Sequence, residues 1–179
     1  YYNLDDARAD YYSRCRMADF WINLKKAPLA DVTELNKIPG VSEIRPRITF
    51  PVIVDLEGVD KPLSGIALSL PEERQAVING ISLKSGSYFT GRRRDEVIVS
   101  EKFATARRIA PGSFIHLILN GQRKRLFVVG TAISSEFMYL TPPGSITNDP
   151  GGYGAFWIKR HFAEQIFGFE GACNNVVGL

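Results

Sequence analysis

Cysteine, histidine, methionine and tryptophan are scarce in this chain of 179 residues, with two of each. Cys15 and Cys173 stand near opposite ends and fit no metal-ligand spacing such as C-x-x-C, which excludes a zinc ribbon and a Cys-rich scaffold. The two thiols are able to pair in an oxidising compartment; two free, buried, hydrophobe-like cysteines is the simpler expectation. His116 and His161 are far apart in sequence, each reading as a solitary satisfied or surface residue rather than a ligand. There is no nucleophile elbow and no phosphate loop. Gly151-Gly152-Tyr153-Gly154 is glycine-rich but lacks a strand before it and a helix after it. The acidic pairs Asp5/Asp6 and Glu72/Glu73 are sequence neighbours, which do not face one site on a regular element. Catalytic residues, metal ligands and cofactor contacts are therefore not expected, although a triad assembled from distant positions would leave no local motif. Long apolar runs are also missing. Stretches such as Phe114–Leu119 span a few residues, against about 20 for a membrane helix.

What is present is ordinary globular material: 45% apolar and 23% charged residues. That excludes wholesale disorder and allows one core, or one core with an insertion. The chain starts at Tyr1 with no signal-peptide pattern, so a piece of something longer is expected. The net charge of +3 conceals a split, because residues 91–125 hold nine Lys/Arg against three Asp/Glu and the remainder is net acidic. Such a concentration suits a nucleic-acid binder or a solvated face with two exposed turns.

Periodicity divides the chain into elements. Residues 1–16 carry their acids early, at Asp5, Asp6 and Asp10, and most of their bases late, at Arg14 and Arg16 after Arg8, a polarity that suits a helix dipole. Their tyrosines, Tyr1, Tyr2, Tyr11 and Tyr12, suit a wet–apolar boundary or packing on the domain. Phe20, Ile22 and Leu24 alternate with polar-side positions and predict a strand. Leu29, Val32, Leu35 and Ile38 have helical spacing, stopped by Pro39-Gly40. The Val/Ile-rich stretch 41–56 carries Pro46 and Pro51 and predicts an edge or bent strand. Residues 58–62 turn the chain and 63–70 return as a strand. A turn of helix is expected around 72–78. Further on, 95–100 reads as a strand and 101–109 as a helix. Asn120-Gly121 between apolar runs predicts a tight hairpin, because both positions of a type I′ turn need φ > 0. Residues 134–153 form a long Pro/Gly-rich loop, and a final β-α-β follows through 155–158, 159–167 and 173–179. Two distant β-α-β units are able to share one sheet with a β-rich module between them.

Several short pieces, in order, resemble a known family. They are Met17-Ala18-Asp19-Phe20-Trp21, Leu24-Lys25-Lys26-Ala27-Pro28, Ile38-Pro39-Gly40-Val41, Asp95-Glu96-Val97-Ile98-Val99-Ser100, Asn120-Gly121, Phe127-Val128-Val129-Gly130, Tyr153-Gly154-Ala155-Phe156-Trp157-Ile158 and Gly171-Ala172-Cys173-Asn174. Together they resemble the extracytoplasmic domain of an FtsX-like, MacB-type permease of bacterial ABC transporters, over nearly the whole length. The resemblance implies an α+β fold: a split βαβ, porter-like (ferredoxin-like) subdomain from residues 1–70 and 136–179, and an inserted β-rich subdomain over 71–135. It implies a non-enzymatic domain in the periplasm or extracytoplasmic space, joining two membrane helices of an inner-membrane protein.

By the same resemblance the partners would be a cytoplasmic ABC ATPase acting through membrane helices outside this chain, an adaptor or membrane fusion protein, and a second permease in a dimer; no nucleic acid is expected. Export, lipoprotein or lipid extraction, mechanotransmission and regulation of a cell-wall enzyme are all tasks of the family. Two sets of candidate contacts follow. Arg92, Arg93 and Arg94 precede a strand, and Arg123, Lys124 and Arg125 follow the Asn120-Gly121 turn. Both sets are expected to be exposed, since unpaired charge is costly to bury. They suit an acidic protein partner, anionic lipid heads, or solubility alone. In the long loop, Phe137, Met138, Tyr139 and Leu140 either line an apolar pocket for a lipid or amphiphile or anchor the loop on the core.

Overall fold

The computed structural model describes residues 16–59, 63–137 and 151–179. Apart from Arg16, the helix expected over 1–16, with its tyrosines and Cys15, lies outside the described residues, as do Met138, Tyr139 and Leu140. The fold is mixed α+β, with two sheets and few helices.

The smaller sheet has three strands in the order β1 (Phe20–Pro28), β10 (Ala172–Gly178), β2 (Ile44–Arg47). Both β1 and β2 run antiparallel to β10, so they are parallel to each other. The link between them is α1 (Leu29–Thr33), one 3-10 turn over Glu34–Lys37, and the Pro39-Gly40 turn, where Gly40 has φ +94°. The last strand is thus inserted between the first two. Phe20, Ile22, Leu29, Val32, Leu35 and Ile44 pack with Cys173 and Val176 beneath it. The alternation of β1 fails at Leu24, which is exposed, because a bulge between Asn23 and Ala27 breaks its pairing with β10. The apolar stretch divides at Ile48 into two strands, β2 with Pro46 inside it and β3 (Thr49–Asp55) with Pro51 inside it, which lie in different sheets.

The larger sheet contains β5 (Ile81–Gly86), β8 (Gln122–Ser134), β6 (Glu96–Ser100), β9 (Tyr153–Lys159), β4 (Leu63–Leu70), β3 and β7 (Phe114–Leu119), in that order. It closes on itself because β8 also pairs with β7. The first part of β8 pairs with β7 and the last part with β5 along one edge, while β6 takes the other edge. A bulge in β8 at Val129–Gly130 bends the strand between these partners. The ring β8-β6-β9-β4-β3-β7 thus forms a barrel, and β5 is an extra strand on its side. Hydrogen bonding also runs between the residues of the two expected parts: β9 pairs with β6, and β3 with β7. The closing β-α-β likewise spans two sheets, with β9 in the barrel and β10 in the small sheet.

The barrel interior follows from alternation. Val52 and Val54, Val97 and Val99, Ile115, Leu117 and Leu119, Leu126 and Val128, and Phe156 and Ile158 all point inward. Phe103 and Ala104 of α2 (Glu101–Ala106) and Ala163 of α3 (Arg160–Phe167) join this core. Gly65 and Gly154 face each other across β4 and β9. A Cβ at Gly154 would sit 2.8 Å from Phe156 and 2.9 Å from Phe103, and one at Gly65 would fall on the Gly154 carbonyl oxygen. The glycines make room for the two phenylalanine rings, which meet edge to face at 5.4 Å.

Outside the barrel, Leu68, Leu70, Ile98, Ala155 and Trp157 form a second core covered by β5 and by residues 71–90. The turn of helix expected at 72–78 is absent. That segment is irregular, and its apolar residues Val77 and Ile78 are used to pack on the sheets instead. The hairpin is as expected, with Asn120 at φ +49° and Gly121 at φ +72°. Among the described residues no helix is long and apolar enough to cross a membrane.

Candidate functional site

Three features carry polar chemistry. The first is the seam between the two sheets, where sequence reasoning assigned no role. Arg47 lies on β2 with 3% exposure. Its Nε donates to Asn175 Oδ1 at 2.8 Å, and its two terminal nitrogens donate to the Glu136 carboxylate at 2.6 and 2.8 Å. Glu136 also accepts the Trp21 indole N–H at 3.1 Å, and Asn175 donates to Asn23 at 2.7 Å. Trp21 of β1 and Arg47 of β2 therefore meet on one glutamate that follows β8, and Asn175 of β10 joins them through Arg47. Arg160 of α3 donates to the carbonyls of Pro46 and Ala172 and pairs with Glu164 at 3.0 Å. Arg45 donates to the carbonyls of Ile78 and Ser69. Burial, reinforced by the charge of Arg47, pulls the Arg45 guanidinium below its ordinary value. Arginine suits such a seam because its planar fork reaches several acceptors at once.

The same seam places the two ends of the small sheet together. Phe20 is opposite Gly178, and the Asp19 N–H donates to the Gly178 carbonyl at 2.8 Å.

The second feature is a buried ion pair in the barrel wall. Glu96 of β6 is 1% exposed and Lys159 of β9 is 7% exposed, with 2.8 Å between Oε2 and Nζ. The Thr90 N–H donates to Glu96 at 2.9 Å, the Thr90 hydroxyl donates to its other oxygen, and Lys159 donates to the Arg93 carbonyl. Burial alone would raise the Glu96 carboxyl. The hydrogen bonds from Lys159 and Thr90 outweigh it and hold the group below its ordinary value. The pair thus pins the loop that carries the first arginine cluster.

The third feature is that basic surface. Arg92, Arg93 and Arg94 are exposed. Arg93 makes a two-pronged pair with Asp95 at 3.0 and 2.9 Å, which lowers the Asp95 carboxyl. Arg123, Lys124 and Arg125 lie inside β8, just past the turn rather than at its tip. Arg123 pairs with Asp55 at 2.6 Å, Lys124 is half-buried, and Arg125 lies 3.6 Å over the Phe114 ring. Arg93 approaches the same ring at 5.3 Å. The fold therefore joins one arginine from each cluster around one aromatic side chain.

Of the long-loop candidates only Phe137 is described. It is half-buried and packs against Trp157 with ring centroids 6.1 Å apart, which anchors the start of the loop. An open apolar groove of about 540 Å³ lies elsewhere, between β3, the hairpin turn and α3, lined by Phe50, Pro51, Ile53, Ile118, Tyr153 and Phe167. Among the described residues no three His, Cys, Asp or Glu side chains are grouped to hold a metal ion. Cys173 is buried, with burial raising its thiol.

A scan against protein-family models and a search of curated proteins return no match. Solved structures do share the fold. The extracellular domain of the noncanonic ABC-type transporter YknZ from Gram-positive bacteria superposes with a TM-score of 0.54 at 13% identity, over 89% of this chain and 81% of that one. The periplasmic region of MacB from Actinobacillus actinomycetemcomitans gives 0.52 at 13% identity, over 88% of this chain and 65% of that one.

Proposed function

We propose that this chain is a non-catalytic extracytoplasmic domain of an FtsX-like, MacB-type ABC transporter permease. In this reading it sits in the periplasm, or outside the cell membrane, between two membrane helices. It passes their ATP-driven displacement to a substrate or protein partner. The observation that carries the reading is the adjacency of Asp19 and Gly178 at one end of the small sheet. A domain held between two membrane helices needs its two attachment points on one side. The shared fold with two transporter domains supports it.

Coupling by such a domain requires stiffness, because a displacement entering at β1 and β10 must not be absorbed on the way. Packed cores deform little, and the arginine seam clamps the small sheet to the barrel through several charge-assisted bonds. The split β-α-β sheet would belong to the porter-like part (residues 1–70 and 136–179), and the 71–135 segment would be the inserted part, woven into the barrel with β3, β4 and β9. The partners would be a cytoplasmic ABC ATPase, a second permease and an adaptor protein.

The test is made in cells with the full-length protein. A cysteine placed at exposed Lys25 should react with a membrane-impermeant maleimide in intact cells; reaction only after lysis would place the domain on the wrong side. Replacing residues 19–178 by a flexible linker should abolish transport while membrane insertion and ATPase association persist. Unchanged transport would refute the coupling role.

The apolar groove supports a second reading, a module that holds a lipid or amphiphile. Native mass spectrometry after incubation with a lipid extract should then retain a lipid on the protein, and an Ile53→Glu variant should lose it.

A further inference from the structure

The outer face of the barrel is covered on only one side. Over β4, β6, β9 and the end of β8 lies the second core. Over β3, β7 and the start of β8 the described outward residues have only α3 beside them, whose Phe167 borders Ile53 and Ile118 at one end. Their register forms a grid. Ile53, Ile118 and Arg123 make one row, Asp55, His116 and Arg125 the next, and Phe114 and Phe127 the third. Ile53 is 45% and Phe114 37% exposed, two of the few large apolar side chains left in water.

We infer that this bare sheet face is a docking surface for an acidic protein segment, with Phe114 and Arg125 at its centre. Charge complementarity is the first argument. The face carries Arg123 and Arg125, Arg93 reaches its aromatic rings from the rim, and among the described residues Asp55 and Asp95 stand in opposition. Those two carboxylates are occupied by Arg123 and Arg93. Among the described residues no carboxylate lies within ion-pair distance of Arg125, which acts on Asp95 only from farther off.

Preorganisation is the second argument. Arg125 is stacked on Phe114, which meets Phe127 edge to face at 5.3 Å. Arg93 lies 5.1 Å from the Phe127 ring. A guanidinium held flat on a ring keeps its N–H edge free for a carboxylate and loses little side-chain entropy on binding. Exposed aromatics and arginines on a rigid sheet are the residues that dominate protein interfaces. The inference goes beyond the transporter reading, since peptide binding is measured on this protein alone.

The probe is a fluorescein-labelled peptide of alternating Glu and Leu, read by anisotropy at about 50 and about 150 mM salt, against a Lys/Leu peptide and phosphatidylglycerol vesicles. The Glu/Leu peptide should bind and the Lys/Leu peptide should not. Phe114→Ala and Arg125→Ala should each weaken binding at least about tenfold, as for centres of interfaces. Arg125→Lys should lose most of it despite keeping the charge. Thermal melting checks that each variant is folded, and Arg125→Glu gives a second route if Phe114→Ala is not. Four results would overturn the inference: equal binding by the variants, binding of vesicles but not of the peptide, no peptide binding at either salt, or self-association of the protein that these variants abolish.

Discussion

Replacing Lys159 by Met would test whether the barrel wall depends on its buried charge pair. Glu96 is 1% exposed and keeps only the two Thr90 bonds once the ammonium is gone. Removing one partner of a buried pair costs about 3–5 kcal/mol, because the other charge is left in the interior. With a urea slope of about 2 kcal/mol/M, the midpoint should fall by about 2 M. The pH dependence distinguishes this cause from lost packing. In the native protein Glu96 is held below its ordinary value. Its contribution is therefore present above the ordinary carboxylate range and lost as pH falls through the lower folded value. In Lys159→Met the opposing hydrogen bond is gone and burial dominates, so the folded value rises above the ordinary one. The variant should then gain stability as pH drops from neutrality towards the carboxylate range, opposite in sign to the native protein. The double variant Glu96→Leu/Lys159→Met should recover most of the loss. Urea titrations at several pH values measure all three. A loss under about 1 kcal/mol, far below the cost expected for a broken buried pair, or a pH slope of unchanged sign would refute the reasoning.

Glu136→Gln should cost about 3 kcal/mol by leaving Arg47 without a full charge partner; it should also change the fluorescence of Trp21, which donates to that carboxylate. Urea melts followed by tryptophan emission report both. Gly65→Ala should destabilise by about 1–3 kcal/mol or more, since the new methyl meets backbone inside a filled barrel, whereas Ser64→Ala beside it should be near neutral in the same calorimetric measurement. Thiol titration of denatured, unreduced protein should find two reactive cysteines, and none would mean that Cys15 and Cys173 pair.

Local features were legible along the chain. The Asn120-Gly121 hairpin, the helix before Pro39-Gly40, the strand ending at Ser100 and the last β-α-β elements each follow from a few neighbouring residues, through φ requirements or side-chain period. So did the exposed arginine clusters, because charge seeks water. The helix expected at 72–78 shows the limit of that reasoning: Val77 and Ile78 have a better use on the two sheets than on a helix of their own.

Pairing between distant strands was decided only in three dimensions. Nothing local marks β8 as the strand that closes the barrel, or β10 as the strand that enters between β1 and β2, because backbone hydrogen bonds carry no side-chain identity. The buried charges show the same division. In the sequence Glu96 falls in the expected strand 95–100, Lys159 opens the expected helix 159–167, and Arg45 and Arg47 fall in the proline-bearing stretch 41–56. Each becomes tolerable in the interior only where the fold supplies its partner from far along the chain, 89 residues away for Arg47 and Glu136. Sequence by itself determined which residues turn, which alternate and where positive charge collects, since those depend on near neighbours and water. Tertiary structure decided which charges meet, which sheet face stays bare and that the two ends of the small sheet lie side by side, since those depend on contacts that the chain makes only after it has closed on itself.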